Sequence, residues 1–153
     1  MKRIAVASAF ALFAILTPQG ASAQPAGAVD PVRIPVGFLK LNVMDLLKMQ
    51  TFYEKAFGMQ QLARFDNDSR IEVVLRNPNG ADVALVYSKE TQPITVGNAH
   101  GPIGFYLHDV DTAYVRVMAA GATSLLAPRS RNGVRLALLK DPEGHELELL
   151  DLD

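Results

Sequence analysis

One pattern runs through this chain twice. Asp45 corresponds to Asp109, Gly58 to Gly121, and the turn Asn77-Pro78-Asn79-Gly80 to Asp141-Pro142-Glu143-Gly144. Around these anchors each half reads as strand, helix and three strands. One such unit presents an apolar sheet face and an apolar helix stripe and cannot bury both alone. Two units can share one core. The expected fold is therefore α+β: two βαβββ modules forming a curved mixed sheet around a cavity, with the helices outside.

The elements follow from local spacing. From Val36 the chain alternates, with Leu39, Leu41 and Val43 on one face and Phe38, Lys40 and Asn42 on the other, as in a strand with one buried side. Asp45 stands at a helix N-cap, Leu46, Met49, Phe52, Tyr53 and Phe57 recur at helical spacing, and Gly58 ends the run. Strands are predicted over 60–65, 70–76 and 81–88. In the second half, Ile103, Phe105 and Leu107 alternate. Asp109 caps a helix carrying Val110, Tyr114, Val117 and Met118. Strands then follow over 122–126, 134–140 and 145–150.

The first residues have a different character. Lys2 and Arg3 precede an apolar run from Ile4 to Leu16, too short to span a bilayer as a helix. Ala21-Ser22-Ala23 supplies the small residues that a signal peptidase reads. We therefore expect a signal peptide over 1–23, a flexible leader over 24–35 that is rich in Ala, Pro and Gly, and one domain over 36–153 built from repeats 36–88 and 102–151. The expected location is periplasmic or secreted, with no stable membrane anchor after cleavage. The chain has no cysteine, which excludes a lipid-modified thiol and any disulfide, so the core alone holds the fold. Removing the signal takes Lys2 and Arg3 from fifteen cations and none of the sixteen acids. The remaining net charge of −3 is a mildly acidic surface with no signature of nucleic acid or anionic membrane as partner.

Several segments together resemble the vicinal oxygen chelate superfamily, which includes glyoxalase I, bleomycin-resistance proteins and extradiol dioxygenases. They are Asn42-Val43-Met44-Asp45-Leu46, Phe52-Tyr53-Glu54-Lys55-Ala56-Phe57-Gly58-Met59, Asp109-Val110-Asp111 with Ala120-Gly121-Ala122, and Lys140-Asp141-Pro142-Glu143-Gly144-His145-Glu146-Leu147-Glu148-Leu149. The resemblance covers Val36 to Asp151. It implies a divalent ion held by side chains from four strands. In this chain the four positions fall on Phe38, Ala84, Pro102 and Glu148. Only Glu148 has a donor atom to give, whereas zinc sites normally use three or four protein ligands. The expectation is a divergent member with no metal site and no cofactor. Glu148 with His100, and Glu146 beside them, stand as the weak candidates for a partial one.

Strand parity suggests what lines the cup. Phe38, Lys40 and Asn42 share a face, as do Gly104 and Tyr106. A two-residue hairpin at Pro142-Glu143 would pair Ala137 with Glu148 and place Arg135, Ala137, Glu146 and Glu148 inside. Lys40 or Arg135 is then the expected ion-pair partner of Glu148. His108 and His145 sit at element junctions, where solvent exposure is the default. The resulting pocket of Phe38, Lys40, Asn42, Tyr106, Arg135 and Glu148 suits a small, largely apolar organic ligand with one or two polar handles. Two further readings stay open: a metal-dependent glyoxalase-like lyase, isomerase or dioxygenase, and a structural or partner-binding module that has lost its chemistry. The resemblance also implies homodimerisation.

Overall fold

Alternation of apolar residues and two well-capped helices produce two copies of the same module. The computed structural model describes residues 37–90, 93–97 and 100–151; the expected signal and the leader up to Val36 lie outside them. The first module comprises β1 (Phe38–Asn42), α1 (Leu46–Phe57), β2 (Gln60–Asp66), β3 (Arg70–Arg76) and β4 (Asp82–Ser88). The second comprises β5 (Ile103–Tyr106), α2 (Val110–Ala119), β6 (Thr123–Arg131), β7 (Val134–Lys140) and β8 (Glu146–Asp151). Each forms its own four-stranded mixed sheet, ordered β1-β4-β3-β2 and β5-β8-β7-β6. In each, the first strand runs parallel to the last.

The caps expected from sequence are present. Asp45 accepts the backbone N–H of Lys48, and Asp109 that of Thr112, both at 2.9 Å. Gly58 closes α1 at φ 69°, a left-handed conformation that glycine adopts without a Cβ clash. Asn132 and Gly133 both take positive φ in the β6–β7 hairpin, as a two-residue loop requires. β6 runs past its expected end at Leu126 to Arg131, with two register shifts. It is an edge strand, so Pro128, which cannot donate to a ladder, is tolerated there.

One apolar core serves both modules. Leu41, Val43, Val73, Leu75, Val83 and Leu85 face α1; Ala137, Leu139, Leu147 and Leu149 face α2, and all belong to one buried cluster. Across the module boundary the rings of Phe57 and Phe105 stack at 3.9 Å between centroids, and Arg116 Nε donates to the Ala56 carbonyl at 2.8 Å.

A further cross-module fastening is the turn from Asp141 to His145. Glu143 accepts the backbone N–H groups of Met44 and Asp45, both at 2.7 Å, just ahead of α1. The partial positive charge at a helix N-terminus favours a carboxylate there. Tyr53 of α1 donates its hydroxyl to Asp141 Oδ2 at 3.1 Å in a buried site. Replacing Glu143 by Ala removes both acceptor oxygens and is expected to lower stability by about 1–2 kcal/mol, the scale of a lost helix cap. Urea unfolding of the two proteins side by side checks this, and an unchanged midpoint refutes it.

Candidate ligand-binding faces

Each sheet buries one face against its helix and turns the other outward. On the first module that outer face carries Phe38, Lys40 and Asn42 of β1, Ala84 and Val86 of β4, Glu72 of β3 and Phe65 of β2, which the strand registers align. Lys40 Nζ lies 2.9 Å from Glu72 Oε1 and 5.4 Å from the centroid of the Phe38 ring. On the second module, Gly104 aligns with Glu148 and Tyr106 with Leu150. Phe38 is 56% exposed and Tyr106 74% exposed, too open for two walls of a closed cup. Within one chain the two faces are therefore open surfaces.

The repeat equivalence shows in the pairing. Lys40 stands beside Ala84 as Gly104 stands beside Glu148, so Phe38 and Pro102 fall at matching places. Phe38, Ala84 and Pro102 carry hydrocarbon side chains with no lone pair. Among the described residues no three His, Asp or Glu side chains converge as a metal site would need. His100 is exposed, and its Nδ1 lies 2.9 Å from the Gly101 carbonyl oxygen.

The β7–β8 register corrects the expected lining. The connection is not a two-residue hairpin. Asp141 Oδ1 accepts the N–H groups of Glu143 and His145, which widens the turn and starts β8 at Glu146. Leu138, not Ala137, therefore aligns with Glu148, and Arg135 aligns with Asp151. Because strand side chains alternate, this one-residue shift turns Ala137 and Arg135 to the helix side. Ala137 is fully buried, and Arg135 makes two hydrogen bonds to Asp111 of α2, at 2.6 and 2.9 Å. The hydrogen bond from Arg135 holds the Asp111 carboxyl below its usual range. The expected pairing of Glu148 with Lys40 or Arg135 is absent, because Lys40 is engaged by Glu72 and Arg135 by Asp111.

His145 is buried, not solvent-exposed as its place at an element junction suggests. Its residue is 4% exposed, with Nδ1 2.8 Å from Asp141 Oδ2. The signal in the sequence was the four-residue spacing of Asp141 and His145 around Pro142 and Gly144. Such spacing lets a carboxylate bond back across the turn. Glu72, the partner of Lys40, likewise follows only from the β3–β4–β1 order.

The sequence profile of the Glyoxalase/Bleomycin resistance protein/Dioxygenase superfamily matches residues 35–149. The chain belongs to that superfamily. Within it, a protein of Vibrio parahaemolyticus named as a probable lactoylglutathione lyase is 30% identical over 118 residues, covering 72% of this chain and 85% of that protein. Glyoxalase I from Zea mays superposes with a TM-score of 0.69 at 26% identity, over 76% of this chain and 46% of the maize chain. This superfamily member thus spans about half the length of the maize enzyme. TioX from Micromonospora sp. ML1 shares the fold, with a TM-score of 0.58 at 24% identity, over 75% of this chain and 96% of its own.

An aromatic residue this exposed contributes little to the core. Phe38→Ala is expected to change unfolding free energy by less than about 1 kcal/mol. Phe52→Ala, at a residue 1% exposed, is expected to cost about 3–5 kcal/mol. Denaturant unfolding of both variants measures the contrast. A Phe38 variant as damaged as the Phe52 variant would show that Phe38 is core and not a contact surface.

Proposed function

We propose that the chain captures a small, largely apolar organic molecule in a cup that uses no metal ion, and that it does so after export. The observation that carries this reading is the donor set. Phe38, Ala84 and Pro102 occupy three of the four strand positions at which the resemblance calls for ligands. A lone carboxylate at Glu148 does not hold a divalent ion against water. In exchange, the outer faces offer aromatic surface at Phe38 and Tyr106 and polar groups at Lys40, Asn42 and Glu148. That mixture suits an organic ligand with one or two polar handles.

The cup is proposed to close between two copies of the chain. The apolar side chains Phe38, Phe65 and Tyr106 lie on outward faces of a single chain, each more than half exposed. A first-module face set against a second-module face would cover them and bring Lys40 near a partner's Glu148. Analytical ultracentrifugation tests this. A dimer that loosens on Phe38→Ser together with Tyr106→Ser supports it, and a monomer at high micromolar concentration refutes it.

The relatives named as lactoylglutathione lyases favour a second reading, a metal-dependent lyase of the glyoxalase type. Such a reaction draws on a thiol cosubstrate of the cytoplasm, which an exported chain would not meet. Thermal unfolding of the chain from Gln24 onward, in chelator and then in manganese, iron(II), nickel or zinc, separates the readings. A ligand that binds only the folded state raises its stability by about 2.7 kcal/mol at a hundredfold excess over Kd. No shift with any metal is the expected result. A rise that Glu148→Ala abolishes would establish the second reading in place of the first.

A further inference from the structure

We propose that a single chain holds a small organic acid in a cavity under the segment linking the two modules, with Lys40, His100 and His145 as its donors. The site shares Lys40 with the outward face described above. It is complete within one chain, so it does not depend on a cup between two copies.

The cavity measures about 290 Å³ and lies where β1, residues 94–97 and 100 of the linker, and His145 of the second module's turn meet. Ligand sites run from about 300 to 1,000 Å³, so this one suits one small molecule. Its lining divides in two. Ile94 and Val96, both half-buried, give apolar surface. Lys40, His100 and His145 give basic groups, and no acidic side chain lines it. An apolar wall beside cationic donors complements a carboxylate on a short hydrocarbon body.

Each donor has capacity left over. Lys40 Nζ lies 3.0 and 2.9 Å from the two carboxylate oxygens of Glu72. An ammonium carries three N–H groups, so one remains. The His145 ring is fixed in place, with Nδ1 2.8 Å from Asp141 Oδ2. Asp141 is itself held by the Tyr53 hydroxyl and by the N–H groups of Glu143 and His145. Nε2 is then the nitrogen left to serve the cavity. An anion there favours the imidazolium, which donates from both nitrogens. His100 repeats the arrangement: its Nδ1 lies 2.9 Å from the Gly101 carbonyl oxygen, which leaves Nε2.

The nearest acids are already engaged. Glu72 is spent on Lys40 and Asp141 on the His145 ring. Glu146 lies 4.0 Å from Lys140 in an adjoining cavity of about 540 Å³ that shares Val96, Gly97 and His100. Selectivity therefore rests on short charge-assisted hydrogen bonds rather than on a net positive field.

Titration of benzoate into the isotope-labelled chain, followed by NMR at about pH 6.5, the ordinary histidine value, tests this. Benzamide keeps the shape and loses the charge; inorganic phosphate keeps the charge and loses the apolar body. Benzoate is expected to shift the His145 ring and the amides of Lys40 and Gly97 saturably, with a dissociation constant on the order of 1 mM. Benzamide and phosphate are each expected to bind about tenfold more weakly, the scale of one lost charged hydrogen bond. Lys40→Met alters a side chain 44% exposed, so the fold is kept, and benzoate is expected to weaken by about tenfold. His145→Gln is expected to weaken it as much; because that ring is buried, the Lys40→Met result decides wherever the second variant does not fold.

No saturable shift at tens of millimolar benzoate overturns the proposal. So does benzamide or phosphate binding as tightly as benzoate, or an affinity that Lys40→Met leaves unchanged. Shifts that centre on Phe38 and Tyr106 and vanish on Phe38→Ser together with Tyr106→Ser overturn it too, while leaving the cup reading intact. A monomer that binds benzoate at His145 supports this site even though the two-copy cup then fails.

Discussion

A single buried carboxylate organises the centre of this protein. Asp141 is 3% exposed and accepts from four groups: the Tyr53 hydroxyl, the His145 ring and the backbone N–H groups of Glu143 and His145. A charge withdrawn from water costs several kcal/mol unless hydrogen bonds and a counter-charge replace its hydration. Here all four partners do so, two of them fixing the turn itself. Because the turn is fixed at this width, β8 meets β7 with Leu138 beside Glu148. The register then decides which side chains of the second module face outward and which enter the core.

The corresponding turn of the first module has taken another course. Asn77 replaces Asp141, and its side-chain oxygen accepts the N–H of Asn79 at 3.2 Å. Its own N–H donates to Asp82, so the turn is held from within its own module. A neutral amide at a partly exposed turn makes no demand for burial, and this turn carries no equivalent of the Tyr53 contact among the described residues. Two copies of one pattern have thus diverged into a solvent-facing turn and a turn that docks the modules together. The same asymmetry marks the outer faces, one built on Phe38 and a Lys40–Glu72 pair, the other on Tyr106 and Glu148.

Much of the architecture was legible from spacing. The alternation around Leu39, Leu41 and Val43, the caps Asp45 and Asp109, and the stop at Gly58 are local signals with local causes, and the elements formed where those signals stood. The inner face of the second module was not legible. Its register depended on whether the Asp141 side chain would bond back across its own turn, and a hairpin rule applied to Pro142 and Glu143 does not contain that choice. Arg135 went to the helix side for this reason. His145 looked exposed because junction residues usually are; it is buried in the turn that Tyr53, about ninety residues earlier in the chain, ties to α1 through Asp141.

In the proposed reading, hydrocarbon stands at three of the four strand positions where the resemblance implies metal ligands, and Glu148 alone keeps a donor. Calorimetric titration of nickel into the folded chain, beside a variant carrying Phe38→His, Ala84→Glu and Pro102→His, addresses that claim at its root. No saturable binding by the unaltered chain is expected, and a site of about one ion per chain is expected in the variant, since the four donors meet the ligand count of such centres. Saturable binding of one nickel per chain by the unaltered protein would contradict it.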